Sequence, residues 1–176
     1  MHDSSPATTV AELRAEPYNS PAATAMIEAA NRANEALYGH ADQSPLSPDE
    51  FSPQHRGHFV VAYLDGVPIG CGGFRRHRED PTGATAEVKR MYVEPHVRRR
   101  GIARHVLTRL ETDAQTAGYH AVILDTGSKQ SDAHALYEAC NYHRTAGFGI
   151  YKDKPGNRAY LKTLPHPSER ISRTGP

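Results

Sequence analysis

Residues 87–103 read E-V-K-R-M-Y-V-E-P-H-V-R-R-R-G-I-A. The stretch begins as a strand that ends at Val93, turns at Pro95 and enters a helix near Gly101. The first amides of a helix have no intrahelical acceptor and lie at the positive end of the helix dipole. Three arginines, 98–100, stand immediately before this helix. Strand, arginine-rich turn, glycine and helix together predict a cradle for a pyrophosphate group.

The cradle differs from two common phosphate-binding loops, because the sequence contains neither G-x-x-x-x-G-K-S/T nor G-x-G-x-x-G. Gly101 would let a bulky anion approach the backbone, and the small side chain of Ala103 keeps the first helical turn open. Taken alone, a short R-R-R-G motif is more often an ordinary basic surface turn before a helix. Both interpretations stay open at this point.

Regular elements are predicted on both sides of this stretch. Downstream, an apolar stripe at helical spacing predicts a helix over 101–117 that Gly118 ends. Further elements follow as a strand at 121–124, a helix at 133–140, and strands at 142–145 and 158–164. Upstream, the predicted elements are a strand at 8–13, a helix at 21–38 ended by Gly39, strands at 58–64 and 67–74 around Asp65-Gly66, and a strand at 84–93. The proline-containing stretch 40–57 is predicted to be a long loop of the kind that often carries function.

This order predicts one α/β (α+β) domain with a central mixed, largely antiparallel sheet flanked by helices. We expect the domain to span 8–164, between a flexible N-terminus at 1–7 and a flexible C-terminal tail at 165–176. The length of 176 residues allows a substantial hydrophobic core but leaves no room for several domains.

Composition excludes several classes of function. Twenty-one Lys and Arg against 20 Asp and Glu give a net charge of +1, which argues against a general nucleic-acid binder. Cys71 and Cys140 form neither a disulfide framework nor a CxxC pair. The sequence predicts no secretory signal and no membrane span, so we expect a cytoplasmic protein. The high usage of Arg and Ala suggests a bacterial source.

Two motifs carry a resemblance to a known family. Arg98-x-x-Gly101-x-Ala103, preceded by V-x-P at Val93 and Pro95, resembles the Q/R-x-x-G-x-G/A acyl-CoA signature of the GNAT superfamily of N-acyltransferases. A-H-A-L-Y-E-A-C-N-Y at 133–142 is similar to the family's A-x-x-L-Y-E-K-x-G-F/Y helix. The resemblance covers about residues 58–164 and implies a GNAT-like fold.

The resemblance also implies a co-substrate, acetyl-CoA, and direct transfer of its acetyl group to a primary amine without a metal. Backbone groups of Met91 and Val93 would pair with the pantetheine arm, and the amides from Arg99 to Arg104 would hold the pyrophosphate. Gln130 stands where the family commonly has a CoA-contacting asparagine. The residues predicted to bind the co-substrate are Met91, Tyr92, Val93, Arg98, Arg99, Arg100, Gly101, Ile102, Ala103, Arg104 and Gln130.

Acetyl transfer to an amine needs a proton acceptor, because an alkylamine is mostly protonated at neutral pH. Glu87 is the best candidate, acting directly or through water, since related sequences often hold a glutamate there. Its alternative interpretation is a strand carboxylate paired with Lys89 or an arginine. Tyr137 stands where the family carries its general acid, and its alternative interpretation is a tyrosine that anchors the core. His77 and His134 are weaker candidates for the base.

The resemblance leaves alternatives for the function as a whole. A non-catalytic acyl-CoA-binding regulatory module would keep the cradle and lose turnover. A nucleic-acid-binding domain that uses 98–104 as a phosphate contact is disfavoured by the near-zero net charge. His55 and His58 have no accompanying ligands, so no metal site is predicted. The most favoured partner is a small-molecule amine, with no nucleic acid and no membrane, and the sequence is compatible with a homodimer.

Overall fold

A computed structural model describes residues 10–165, and its elements form one seven-stranded sheet with three helices. The strand order is β1-β2-β3-β4-β5-β7-β6, and every neighbouring pair is antiparallel except β4 with β5. The predicted α+β fold with a mixed, largely antiparallel sheet is confirmed. The predicted flexible ends, 1–7 and 165–176, lie outside the described residues except for Pro165. The elements are β1 (Glu12–Ala15), α1 (Pro21–Tyr38), β2 (His58–Leu64), β3 (Val67–Arg76), β4 (Thr85–Val93), α2 (Ile102–Thr116), β5 (Ala121–Gly127), α3 (Ser131–Ala139), β6 (His143–Thr145) and β7 (Asn157–Thr163).

Local sequence signals explain several of these elements. Asp65 and Gly66 both have positive φ, 49° and 78°, as a tight turn between antiparallel strands requires. Ser20 caps α1 through a hydrogen bond from the Ala23 amide, and Gly39 ends the helix in the left-handed conformation. The first strand lies at 12–15 rather than at the predicted 8–13, because its position follows from pairing with β2 at the sheet edge.

The two faces of the sheet are covered by different helices. Alternate residues of β2 separate the faces, so Val60 packs with α2 in one core and Phe59 packs with α1 in the other. The larger core includes α2 residues such as Leu107 and Leu110, both fully buried, together with Tyr137 from α3. The sheet therefore lies between α1 on one side and α2 with α3 on the other.

The parallel pair β4–β5 is unusually short. Thr85–Glu87 pair with Ala121–Ile123, after which β4 stays with β3 and β5 stays with β7. The two strands separate beyond these three pairs and leave a gap in the middle of the sheet. Among residues 10–165, no helix is long and apolar enough to cross a bilayer.

An irregularity in β4 lies directly beside this gap. The β3–β4 register shifts between Cys71 and Gly73, so that Gly72 faces two residues of β4. Arg90 adopts a left-handed conformation at this bulge, with φ of 61°. A Cβ atom at Gly72 would lie 2.6 Å from Met91 Sδ and 3.1 Å from side-chain atoms of Leu110 and Val106, so these side chains would have to shift to admit one.

Candidate active site

The gap between β4 and β5 continues into a cleft of about 1320 Å³. Its walls come from both strands, the end of α1, the start of α2, α3 and the segment before β7. The size exceeds the ~300–1,000 Å³ typical of small-ligand pockets, so a long ligand with a second molecule beside it would fit. Apart from Arg100 and Glu87, every predicted site residue lines the cleft: Met91, Tyr92, Val93, Arg98, Arg99, Gly101, Ile102, Ala103, Arg104, Gln130 and Tyr137.

The start of α2 forms one end of the cleft. Gly101 precedes the helix with φ of 75°, and Arg99 is left-handed as well, with φ of 62°. No side chain caps this helix, so the amides of Ile102, Ala103 and Arg104 are free to bind an anion. The structure thus presents an uncapped helix end within a basic turn, as an anion cradle requires.

The arginines of this turn have different positions. Arg98 donates from Nε to the carbonyl oxygen of Val93 at 2.9 Å, which fixes the turn to the end of β4. Its guanidinium lies 6.0 Å from the centre of the Tyr92 ring. Arg99 and Arg104 also line the cleft, whereas Arg100 does not. Arg98 therefore helps to fix the shape of the turn, and Arg99 and Arg104 add positive charge beside the cleft.

Tyr137 on α3 forms part of the cleft wall. Tyr137 is only 5% exposed, and the centre of its ring lies 5.8 Å from the ring centres of both Tyr142 and Tyr160. Burial, with the charge of Asp125, raises the pKa of the Tyr137 phenol well above its ordinary value. The residue thus anchors the core and stays protonated beside the cleft, so both sequence interpretations have a structural basis.

Gln130 precedes α3 and lines the cleft opposite the cradle. Its Nε2 donates to Asn34 Oδ1 of α1 at 3.4 Å, and its Oε1 accepts a hydrogen bond from the Thr126 hydroxyl. The side chain therefore connects β5 to α1 across one end of the cleft.

Glu87 lies beneath the cleft and is 3% exposed. Its Oε1 contacts Lys89 at 3.2 Å and Arg75 at 3.4 Å, and its Oε2 contacts His77 Nδ1 at 3.2 Å. Burial alone would raise the pKa of Glu87, but the hydrogen bond with His77 and the charges of Lys89 and Arg75 lower it to about 2. The paired carboxylate, which the sequence left open as an alternative, is what the structure contains.

Lys89 is the cation at the centre of this network. Its Nζ lies 3.2 Å from Glu87 Oε1 and 3.1 Å from Asp125 Oδ1, and its side chain is 8% exposed. Burial would lower the pKa of Lys89, but the charges of Asp125, Glu87 and Asp42 raise it. Lys89 is therefore an ammonium ion held at the point where β4 and β5 separate.

The predicted loop 40–57 is attached to the sheet by ion pairs. Arg75 Nη1 on β3 lies 3.2 Å from Glu50 Oε2 and donates to the carbonyl of Pro45, and Arg78 contacts Glu50 at 2.7 Å. Asp42, at the start of the loop, accepts from Arg90 at 3.0 Å. In the basic cluster 75–78, Arg75, His77 and Arg78 are thus paired with Glu50 or Glu87.

Three features of the site escaped the sequence interpretation. Asp42 lies in a loop, and Asp125 follows an apolar run that seemed to end at Leu124. The bulge at Arg90 was also missed, although the small residues G-C-G-G at 70–73 on the opposing strand are a signal for a close approach. Within residues 10–165, no group of three or more His, Cys, Asp or Glu side chains could hold a metal ion.

Known proteins resemble this chain in sequence. A model of the acetyltransferase (GNAT) family matches residues 23–142. The IAA acetyltransferase of Azospirillum brasilense is 38% identical over 97 residues, which are 55% of this chain and 61% of that protein. The N-acetylaspartate synthetase of Rattus norvegicus is 38% identical over 93 residues, which are 53% of this chain and 30% of the relative. The chain thus aligns with less than two thirds of either relative.

Solved structures share the fold. A candidate acyl-CoA N-acyltransferase from Klebsiella pneumoniae superposes with a TM-score of 0.73 at 25% identity, over 89% of this chain and 99% of that one. The Salmonella typhimurium yncA structure, solved with its cofactor acetyl-CoA, superposes with a TM-score of 0.65 at 19% identity, over 89% and 95%. The latter likeness concerns the fold alone.

Proposed function

The chain belongs to the acetyltransferase (GNAT) family and is an acyltransferase, and on that premise we propose that it transfers the acetyl group of acetyl-CoA directly to a primary amine. The observation that carries this proposal is the cleft between β4 and β5, with an uncapped basic helix end at one side and a protonated tyrosine in its wall. The shape and charge of the cleft suit a long ligand with a pyrophosphate group.

The residues predicted for the co-substrate fit this proposal. The amides of Ile102 to Arg104 would hold the pyrophosphate, with Arg99 and Arg104 beside it. Met91 and Val93 lie beyond Glu87, the last residue of β4 that pairs with β5, and in this proposal their backbone groups would pair with the pantetheine arm. Acetyl-CoA, when bound, supplies the thioester carbonyl that is attacked and the thiol that leaves.

Tyr137 would act as the general acid. Because its pKa is raised, the phenol keeps its proton at neutral pH and would donate that proton to the departing sulfur. Glu87 would act indirectly, since its carboxylate is buried, fully paired and held as an anion by three cationic or imidazole neighbours. In this proposal its task is to hold Lys89 in place and to tune the charge of the cleft.

The acceptor is proposed to be a small-molecule amine, in a cytoplasmic and bacterial setting. The relatives named above are called IAA acetyltransferase and N-acetylaspartate synthetase, names that support small acceptors. The acceptor end of the cleft is bounded by Asp42, Lys89, Asp125 and Tyr151. This mixture of charges does not identify one compound. The alternative acceptor is an amine of a peptide or protein.

The proposal is tested by thermal unfolding with acetyl-CoA and by release of CoA over a panel of primary amines. We expect acetyl-CoA at ~100 times its Kd to stabilise the fold by ~2.7 kcal/mol. Stabilisation with amine-dependent release of CoA supports the enzyme. Stabilisation without release from any amine favours the non-catalytic binding module, and no stabilisation at millimolar acetyl-CoA contradicts both.

A further inference from the structure

Three carboxylates surround Lys89, and they differ in how they are paired. Glu87 uses both oxygens, one toward Arg75 and Lys89 and the other toward His77. Asp42 also uses both: Oδ1 accepts from the Tyr151 hydroxyl and the Ser44 amide, and Oδ2 accepts from Arg90. Neither carboxylate has an oxygen to spare for a substrate.

Asp125 is different. Its Oδ1 accepts from Lys89 at 3.1 Å, whereas its Oδ2 has no hydrogen-bond donor among residues 10–165. Oδ2 is not fully buried. It is therefore in contact with the cleft that Asp125 lines. This carboxylate oxygen faces the cleft and receives no hydrogen bond from residues 10–165. It can therefore accept a hydrogen bond from a bound ligand.

The position of Asp125 suits the reaction. It lies two residues beyond Ile123, the last residue of β5 that pairs with β4, and thus at the point where the strands separate. It is close enough to Tyr137 for its charge to raise the pKa of that phenol. The proton acceptor and the proposed proton donor would therefore lie around the same reacting atoms.

We propose, on the basis of the proposed function, that Asp125 is the catalytic residue that binds the acceptor ammonium ion through Oδ2 and takes its proton. The ammonium N–H proton passes to Asp125 Oδ2, and the neutral amine attacks the thioester carbonyl carbon. A C–N bond forms, the C–S bond breaks, and the sulfur takes the Tyr137 proton. After the C–S bond breaks, the nitrogen still carries two protons, and one of them passes to the Tyr137 oxygen. Asp125 then loses the proton that it took from the ammonium ion to solvent.

The surroundings make this transfer energetically reasonable. Burial raises the pKa of Asp125, the charge and hydrogen bond of Lys89 lower it, and the charges of Glu87 and Asp42 raise it, so that it lies above its ordinary value. The ammonium of Lys89 opposes a second cation beside it, whereas the carboxylates of Asp125, Glu87 and Asp42 favour one. Transfer also replaces an ion pair by two neutral groups in a poorly solvated cleft, which burial favours.

The test compares amines of different basicity in Asp125→Asn. We expect kcat/KM for a primary alkylamine to fall about 100-fold or more. For hydroxylamine or an arylamine, which are already neutral at pH 7, the loss is expected to be at least tenfold smaller. Calorimetry should give an unchanged Kd for acetyl-CoA. Asp153→Asn, an exposed carboxylate outside the cleft, is the matched control and should behave as wild type.

The outcomes separate this inference from the proposed function. An undiminished alkylamine rate, or an equal loss with both kinds of amine, would overturn the role of Asp125 while wild-type turnover upholds the enzyme. A wild-type protein that neither binds acetyl-CoA nor acetylates any amine would overturn both. Should Asp125→Asn fail to fold, Asp125→Glu carries the test, because a displaced carboxylate is expected to show the same selective loss.

Discussion

At the scale of single residues, a tyrosine in the cleft wall that cannot ionise near neutral pH stands against a buried carboxylate, outside the cleft lining, that cannot be protonated there. Tyr137 keeps its proton because it is buried, and Glu87 keeps its charge because His77, Lys89 and Arg75 surround it. Their sequence positions suggested a matched acid and base. Their surroundings keep a proton on Tyr137 and keep Glu87 an anion paired with three neighbours.

Tyr137→Phe removes the phenol and keeps the ring in the core. We expect kcat to fall about 10- to 100-fold, because the leaving sulfur loses its proton donor. The Kd for acetyl-CoA and the melting temperature should change little, since the ring contacts with Tyr142 and Tyr160 remain. Steady-state kinetics and calorimetry measure these effects. Tyr160→Phe, which removes a buried hydroxyl outside the cleft, is the control, and an equal loss of kcat in it would contradict the assignment.

Glu87 also makes stability depend on pH. Its folded pKa of about 2 lies below the ordinary 4.5, so the stability it contributes is complete above pH 4.5 and is lost as the pH falls toward 2. At ~1.4 kcal/mol for each pKa unit, the ionised carboxylate contributes ~3 kcal/mol at neutral pH. Glu87→Gln should therefore unfold at lower denaturant concentration at pH 7 and lose stability less steeply on acidification. Urea titrations at pH 7, 5 and 3 measure this difference, and parallel pH curves for the two proteins would refute it.

At the scale of elements, the loop 40–57 contributes His40, Ala41 and Asp42 to the cleft wall, and ion pairs of Glu50 attach the loop to the sheet. Glu50 joins two arginines of the β3 end, Arg75 and Arg78, and also accepts from the Ser47 amide. Gly57, where the loop enters β2, fits only without a side chain, because a Cβ atom there would lie 1.9 Å from the Glu50 carbonyl oxygen. The loop thus has one close-packed conformation over the sheet.

Glu50→Gln should loosen this wall. We expect a loss of ~2 kcal/mol in stability, because hydrogen bonds to charged groups are worth ~1.5–3 kcal/mol and Arg75 is left with a single anion. The KM for the acceptor should rise while the Kd for acetyl-CoA stays constant, since Glu50 pairs with Arg75 and Arg78 and not with the cradle arginines. Glu12→Gln breaks only an exposed edge pair with Arg14 and should be almost silent. An unchanged acceptor KM would show that the loop does not shape the acceptor end.

The elements also show how far the sequence could be interpreted. Strong local signals fixed α1 between Ser20 and Gly39, the Asp65-Gly66 hairpin and the start of α2 after Gly101. Local sequence signals did not predict the structure where contacts between distant parts of the chain determine it. The polar end of β5, including Asp125, is a strand because it pairs with β7, and the bulge at Arg90 follows from packing against Gly72. The ion pairs of Glu87 depend on residues brought together by three strands and a loop, which no local pattern reveals.

At the scale of the whole molecule, the sheet consists of two parts. Strands β1–β4 form one antiparallel part and β5–β7 form the other, and three residue pairs connect them. The cleft is the place where these parts separate, so a ligand bound in it touches both. Binding is therefore expected to change the stability of the junction more than that of either part.

Hydrogen exchange tests this expectation. Saturating acetyl-CoA should slow the exchange of amides at 91–93, 102–104 and 124–127 by tenfold or more, because the ligand holds both sides of the gap. The Asp65-Gly66 turn, at the far end of the β2–β3 hairpin, should exchange at its ligand-free rate. Uniform slowing over the whole chain would instead indicate global stabilisation without a preferred junction.

The short junction has a further consequence for engineering. Gly118 is exposed, has φ of 87° and lies between the first part with its α2 helix and the second part. A chain opened there yields two fragments that each carry one wall of the cleft, joined by three backbone pairs, the core beneath α2 and ion pairs such as Lys89–Asp125 and Lys162–Glu111. A molecule spanning both walls would favour their reunion, so complementation of the two fragments is expected to respond to the concentration of acetyl-CoA, the proposed co-substrate.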